Sequence, residues 1–190
     1  MPNVFNPQNL PSLDSPERKE LIPPHDTLIL MGLKPGQVFV DVGAGAGYFS
    51  IPASEITGRS GRVIATDLSE EMLGHLKERA RETGAEIETI LTADDTLPLP
   101  DHTADITFMA FVFHEIDDRG QYLRELKRIT KPEGTLVLID WAKVDSPPGP
   151  PTKHRVDISE AIQIVSSAGF KVESNGNLNP FQYFITARPA

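Results

Sequence analysis

The chain has 190 residues, 39% of them apolar, which suits one domain with a real core at roughly 100–200 residues per domain. It carries 18 Lys and Arg against 27 Asp and Glu, a net charge of −9, which disfavours a general role on nucleic acid or on an anionic membrane surface. It has no cysteine, so disulfide scaffolds, thiolate metal sites, iron–sulfur clusters and cysteine nucleophiles are excluded, and a reducing cytoplasm is compatible.

Residues 1–24 hold Pro2, Pro7, Pro11, Pro16, Pro23 and Pro24 with little periodicity. They read as an arm with one short helix near Ser15–Leu21, capped by Ser15 with Pro16 in its first turn. A second short helix is expected over residues 25–33, ending at Leu33-Lys34-Pro35-Gly36 and separating an N-terminal arm (1–33) from the main domain (34–190). From there strands and helices alternate. Strands are expected at Gln37–Val42, Arg62–Thr66, Glu86–Leu91, Asp105–Phe111 and Thr135–Trp141, and helices at Tyr48–Thr57, Ser69–Thr83, Asp117–Thr130 and Ser159–Ala168. The closing runs, Phe170–Ser174 and Gln182–Ala187, sit too close together for a helical crossover and should pair antiparallel. Continuous apolar strands alternating with helices indicate an α/β fold, a doubly wound and mostly parallel sheet covered on both faces.

The longest apolar stretch, Ile106–Phe113, falls well short of the ~20 residues of a membrane helix, and the first twenty residues hold no run of signal-peptide length. A soluble, cytoplasmic protein is therefore expected. The run Pro147-Pro148-Gly149-Pro150-Pro151 reads as a stiff connector before the last helix, with a polyproline ligand as the alternative.

The most informative segment is VFVDVGAGAGYF, residues 38–49: a buried strand, a glycine-rich bend, then a helix. Such a bend lets backbone approach a ligand closely, which points to a nucleotide-like molecule. A dinucleotide fingerprint starting at Gly43 would need glycine where Tyr48 stands, and one starting at Gly45 would need it at Ser50. The pattern is instead Asp-x-Gly-x-Gly-x-Gly. Asp41 at the strand end suits a ligand bearing an ammonium or another cation better than a pyrophosphate. Asp67, twenty positions after Gly47, ends the second strand where a carboxylate can accept two hydrogen bonds from a ribose diol. Capping of the following helix is the structural alternative for Asp67. Ala93-Asp94-Asp95 follows the third strand, so acids fall at the carboxyl ends of three consecutive strands.

DVGAGAGYFS at 41–50, VIATDLSEEML at 63–73, LPLPDHTADITFMAFVFHEI at 97–116 and LKRITKPEGTLVLIDW at 126–141 resemble the class I S-adenosylmethionine-dependent methyltransferases, in the small type-11 branch that includes quinone-biosynthesis enzymes. The resemblance implies a Rossmann-like seven-stranded sheet of order 3-2-1-4-5-7-6 with strand 7 antiparallel, and S-adenosyl-L-methionine as cofactor. It implies that Asp41, Gly43, Ala44, Gly45 and Gly47 hold the methionine part, Asp67 the ribose, and Leu68 the adenine face. Asp94 and Asp95 would bracket the adenine amine, with Met72, Ala93, Ala110 and Phe111 completing the set. Two departures are visible: Ala93 stands where the family usually has an acid, and Pro132-Glu133-Gly134 replaces the usual Pro-Gly-Gly.

Methyl transfer from a sulfonium calls mainly for alignment and exclusion of water. Where a base is required, His114 at the exit of the fourth strand is the candidate, followed by Glu115. His25 and Tyr48, and His154 with Arg155, are the other candidates for contact with a small-molecule methyl acceptor. Phe108, Phe111 and Phe113 are read as core rather than as an aromatic acceptor pocket. The histidines lack metal-ligand spacing, so no metal is expected. Two other functions remain open: a non-catalytic module that binds the same cofactor, and a nicotinamide-dependent oxidoreductase, disfavoured by the missing glycine.

Overall fold

A bend of glycines and acids is only as well placed as the strands that carry it, and here those strands are apolar on both faces. The computed structural model describes residues 15–93, 96–145 and 149–190. By contact these divide at Pro98/Leu99 into two compact units.

In the first unit, helices α1 (Pro16–Leu21) and α2 (Pro24–Leu30) precede β1 (Val38–Val42), α3 (Ser50–Thr57), β2 (Arg62–Asp67), α4 (Glu70–Thr83) and β3 (Glu88–Leu91). The Ser15 side chain caps α1 by accepting from the Arg18 N–H, with Pro16 in the first turn as expected. β1 and β2 pair in parallel with Asp41 opposite Ala65, and β2 pairs in parallel with β3, Asp67 opposite Leu91. Phe39, Val40, Val42, Val63, Ile64 and Ala65 are buried, which is why these strands read as continuous apolar runs. Ser69 caps α4 by accepting from the Met72 N–H at 3.2 Å, and Gly84 ends it in the left-handed conformation. Between the caps, Leu73, Leu76 and Ala80 form one face and pack with Ala44 and Ala65.

In the second unit β4 (Ala104–Ala110) leads through a 3-10 turn, Phe113–Glu115, to α5 (Arg119–Ile129). There follow β5 (Thr130–Trp141), a 3-10 turn at Thr152–His154, α6 (Ile158–Ser167), β6 (Phe170–Asn179) and β7 (Gln182–Pro189). Asp118 and Asp157 cap α5 and α6. β4 and β5 are parallel, while β7 runs antiparallel to both β5 and β6, as the short final connection requires. The seven strands form one sheet of order β3-β2-β1-β4-β5-β7-β6.

Several boundaries move. α3 begins at Ser50 rather than Tyr48, because the glycine bend continues through Tyr48. β3 is two residues shorter than expected at its start, and β5 starts at Thr130 rather than Thr135. β4 stops at Ala110: Phe111 has φ 62°, in the left-handed region, and Phe113 lies in the 3-10 turn. Phe111 and Phe113 therefore do not share a strand face. Phe108 and Phe113 are fully buried, in keeping with a core role. Among the described residues no helix is long and apolar enough to cross a membrane. The proline run falls partly outside the described residues, at 147 and 148.

Candidate functional site

The first unit carries the glycine bend. Gly43, Gly45 and Gly47 have φ of 70°, 55° and 84°. A Cβ on Gly47 would lie 2.9 Å from Leu76 Cγ, and one on Gly45 would lie 3.2 Å from Met72 Cε. Conformation and space thus both call for glycine at Gly47. The N–H groups of Gly43 and Ala44 both donate to the Thr66 carbonyl, at 2.8 and 2.9 Å. That of Gly45 donates to Asp67 Oδ2 at 2.8 Å, and that of Gly47 to the Ala44 carbonyl at 3.0 Å. These four amides are spent inside the protein. In a phosphate cradle they would point at the ligand, so this bend offers a pyrophosphate little and leaves recognition to the acids beside it.

Asp67 holds the bend from β2. Its Oδ1 accepts from the Ser69 N–H at 2.8 Å while its Oδ2 takes that of Gly45, tying the bend to the start of α4. Burial raises its pKa, against the lowering effect of the amides of Ser69, Gly45 and Leu68. Ser69, not Asp67, is the side-chain cap of α4. Asp41 is 2% exposed, and its Oδ2 accepts from the Ser50 hydroxyl at 2.5 Å. Burial pushes it up to about 7, opposed by the Ser50 hydrogen bond and assisted by the charge of Asp67. A buried and a half-buried carboxylate that repel each other favour a cationic ligand, which would relieve both. The donor set therefore fits a sulfonium or ammonium compound and fits a diphosphate poorly.

Around this bend Ala44 and Met72 are buried, and Leu68 is 47% exposed, offering apolar surface just past β2. Ala93 is exposed beyond β3, and Asp94 and Asp95 lie outside the described residues. Tyr48 is buried: its hydroxyl donates to the Ile22 carbonyl at 2.9 Å, and the Arg18 guanidinium lies 4.1 Å above its ring. That clasp fastens α1 to the bend. His25 is exposed on α2, with Nδ1 3.6 Å from Asp26.

The second unit places His114 on a partner that sequence reasoning missed. Asp140, at the end of β5, accepts the His114 N–H at Oδ2 (2.8 Å) and lies 2.7 Å from His114 Nδ1 through Oδ1, which also accepts the Trp141 N–H at 2.8 Å. An ionised carboxylate only accepts, so Nδ1 carries the proton and the lone pair of a neutral ring sits on Nε2. The side chains of His114 and Asp140 are 8% and 1% exposed. Burial is the largest influence on His114 and opposes its charge. The hydrogen bond and charge of Asp140, with a smaller contribution from Glu115, outweigh that burial and the repulsion of Arg119, leaving the pKa above 6.5. Glu115 Oε1 stands 3.8 Å from Nε2. Arg119 braces the turn by donating to the carbonyls of Phe113 and His114.

Ala110 and Phe111 are partly buried at the end of β4, and the Phe111 ring lies 4.9 Å from that of Trp141. His114, Arg119, His154 and Arg155 share the lining of a cleft of about 410 Å³. Arg155 is buried and donates to the carbonyls of Pro150, Ala142 and Val144 at 2.9–3.1 Å, so it stitches the segment after β5 as well as lining the cleft. Its guanidinium stands 5.7 Å from the Trp141 ring. Among the described residues no group of three or more His, Asp or Glu is arranged to hold a metal ion.

Asp140 had a visible signal: it is the acid in the apolar run TLVLIDW, a strand-end carboxylate like Asp41. Arg119, Lys143 and Lys153 had none, since each reads as an ordinary surface charge.

A family model described as a methyltransferase domain matches residues 40–138. The ubiquinone/menaquinone biosynthesis C-methyltransferase UbiE of Escherichia coli is 29% identical over 119 residues, 62% of this chain and 47% of that one. The chain thus spans about half the length of the curated relatives it matches. A solved S-adenosylmethionine-dependent methyltransferase from Aquifex aeolicus is 35% identical, covers 98% of this chain and 100% of its own, and superposes with a TM-score of 0.93. The cyclase SpnF superposes with a TM-score of 0.75 over 87% of this chain and 81% of its own at 16% identity, a likeness of fold alone.

Proposed function

From a chain that belongs to the methyltransferase-domain family, the type-11 branch of the class I S-adenosylmethionine-dependent enzymes, we propose methyl transfer from S-adenosyl-L-methionine to a small-molecule acceptor. The observation that carries the donor assignment is the pair of buried Asp41 and half-buried Asp67 beside a bend whose Gly43, Ala44, Gly45 and Gly47 amides are already spent. We assign Asp41 to the cationic amino-acid end of the donor, Asp67 to its ribose, and the exposed face of Leu68 to its adenine. Bound there, the donor supplies a methyl group on a positively charged sulfur that leaves as a neutral thioether keeping the C–S bonding pair. A lone pair on the acceptor is then sufficient as nucleophile.

His114 takes the acceptor's proton at Nε2, leaving the nucleophile's electron pair free to form the new bond to carbon. Asp140 fixes the tautomer through Nδ1–H and stabilises the imidazolium that results. Its second oxygen, on the His114 amide, holds the turn at the correct position along β4. Arg119 holds the other side of the same turn. Residues 15–33 of the arm act as a cover for the bend, for which the Arg18–Tyr48–Ile22 clasp supplies the attachment. We place the reaction in the cytoplasm, with which a cysteine-free chain is compatible.

The test uses the protein, S-adenosylmethionine and a small-molecule extract of cells. Wild type should release S-adenosylhomocysteine. His114→Gln should release it about 10²–10⁴-fold more slowly while binding that product as wild type does. Equal release by the variant would remove His114 as base. A wild type that binds the product but never releases it from any extract is a binding module, not an enzyme.

A further inference from the structure

The cleft in the second unit says more about the acceptor than the family does. Its lining presents four cationic side chains, Arg119, Lys143, Lys153 and Arg155, against one carboxylate, Glu160, and one aliphatic side chain, Val156. That concentration of positive charge stands out in a chain of net charge −9. Arg119 is held by neutral carbonyl oxygens, which position its charge without cancelling it. Among the described residues the ammonium groups of Lys143 and Lys153 make no hydrogen bond and no ion pair within 4 Å. The volume, about 410 Å³, lies within the ~300–1,000 Å³ usual for small-molecule sites.

A second observation comes from β7. Tyr183 is 1% exposed, and its hydroxyl is a buried polar group with no hydrogen-bond partner among the described residues. Tyr183 stands directly opposite Asp140 in the antiparallel β5–β7 pair, so the two side chains leave the sheet on the same face. The charges that act on it are those of Asp140, Arg119, Asp157 and Glu160, and of these Arg119 and Glu160 line the cleft. A buried hydroxyl left unsatisfied is costly, and an acceptor oxygen that reached it from beside Arg119 would satisfy it.

We propose that the methyl acceptor is a small oxyanion-bearing molecule, a carboxylic acid or a phosphate ester, whose charge is held by the Arg119–Lys143–Lys153 face and which accepts a hydrogen bond from Tyr183. This rests on the reading of His114 as the base, because the acceptor must reach Nε2 from the same cleft. It sets this chain apart from an enzyme for a polyprenyl quinone: Val156 alone, among the described lining, could cover a hydrocarbon tail.

The full chain is titrated at constant ionic strength with benzoate and with inorganic phosphate, with benzamide as the uncharged comparison, following the ring signals of His114 and His154 by NMR. We expect saturable shifts with at least one anion, and which one responds distinguishes carboxylate from phosphate. Affinity should fall about tenfold or more in the double variant Lys143→Gln, Lys153→Gln, and should fall in Tyr183→Phe although that variant melts no lower than wild type. No saturable response to either anion, an equal response to benzamide, or undiminished affinity in the variants overturns the proposal. Calorimetry with S-adenosylhomocysteine on the same proteins separates the failures. Product binding without an anion response overturns the acid class alone, whereas no product binding overturns the methyltransferase reading beneath it.

Discussion

At the scale of single residues, the same chemical device appears in both units: a strand-end carboxylate, buried, with one neighbour that defines its state. Asp41 meets the Ser50 hydroxyl, and Asp140 meets the His114 ring. The balance differs between them: burial outweighs the Ser50 hydrogen bond and raises Asp41, whereas the pull of Asp140 outweighs the burial of His114. For His114, the attraction of Asp140 exceeds the cost of burial, so the imidazolium persists above pH 6.5. Its contribution to stability is complete below that pH and is lost as pH rises through the folded pKa; the neutral ring, the form the proposed base requires, grows over the same interval. NMR titration of the His114 ring should give a midpoint above 6.5 in wild type and a lower one in Asp140→Asn. An unchanged midpoint would mean that Asp140 does not hold the charge. Asp41, Asp67 and His114 were legible because glycine spacing and strand ends flagged them. Asp140 carried a signal as the acid closing an apolar strand, but its pairing with His114, 26 positions away, was hidden; Tyr183 gave none, since it is a polar residue inside an apolar strand and meets Asp140 only across the sheet.

At the scale of elements, the bend, the end of β2 and the start of α4 behave as one piece, because Asp67 ties the first two together while Leu76 of α4 packs beneath Gly47. Gly47→Ala should therefore destabilise the protein in chemical denaturation by about 2–4 kcal/mol, combining a left-handed backbone with overpacking. Gly84→Ala is the comparison: Gly84 is also left-handed, with φ 73°, but a Cβ there meets nothing within 4 Å, so the loss should be about 1–2 kcal/mol. Equal losses in the two variants would show that the Leu76 contact carries no weight. α4 was legible because both its caps and its apolar face are local. The end of β4 was not: the run ITFMAFVF stays apolar past Ala110, and periodicity cannot register that Phe111 turns to φ 62°. The early start of β5 was hidden too, since Pro132-Glu133-Gly134 reads as a turn, yet the strand pairs there through a register shift opposite Ala104.

At the scale of the whole molecule, alternation of apolar runs and helices was enough to give an α/β sheet, and the spacing of the last two runs gave the antiparallel pair. The order β3-β2-β1-β4-β5-β7-β6 followed from the resemblance to methyltransferases, because strand order is not written in any single run. Charge is unevenly distributed: Asp41 and Asp67 stand beside the bend of the first unit, and cations line the cleft of the second. The donor half of this account is open to one direct measurement, calorimetric titration of the full chain with S-adenosylhomocysteine at pH 6 and pH 8. On the proposed reading Asp41, pushed up to about 7 by burial, receives the ligand's ammonium in its ionised form. It is about one-tenth ionised at the lower pH and nine-tenths at the higher, so affinity should rise roughly tenfold between them. One-to-one binding that tightens in this way is the predicted result; no binding heat at either pH would contradict the account.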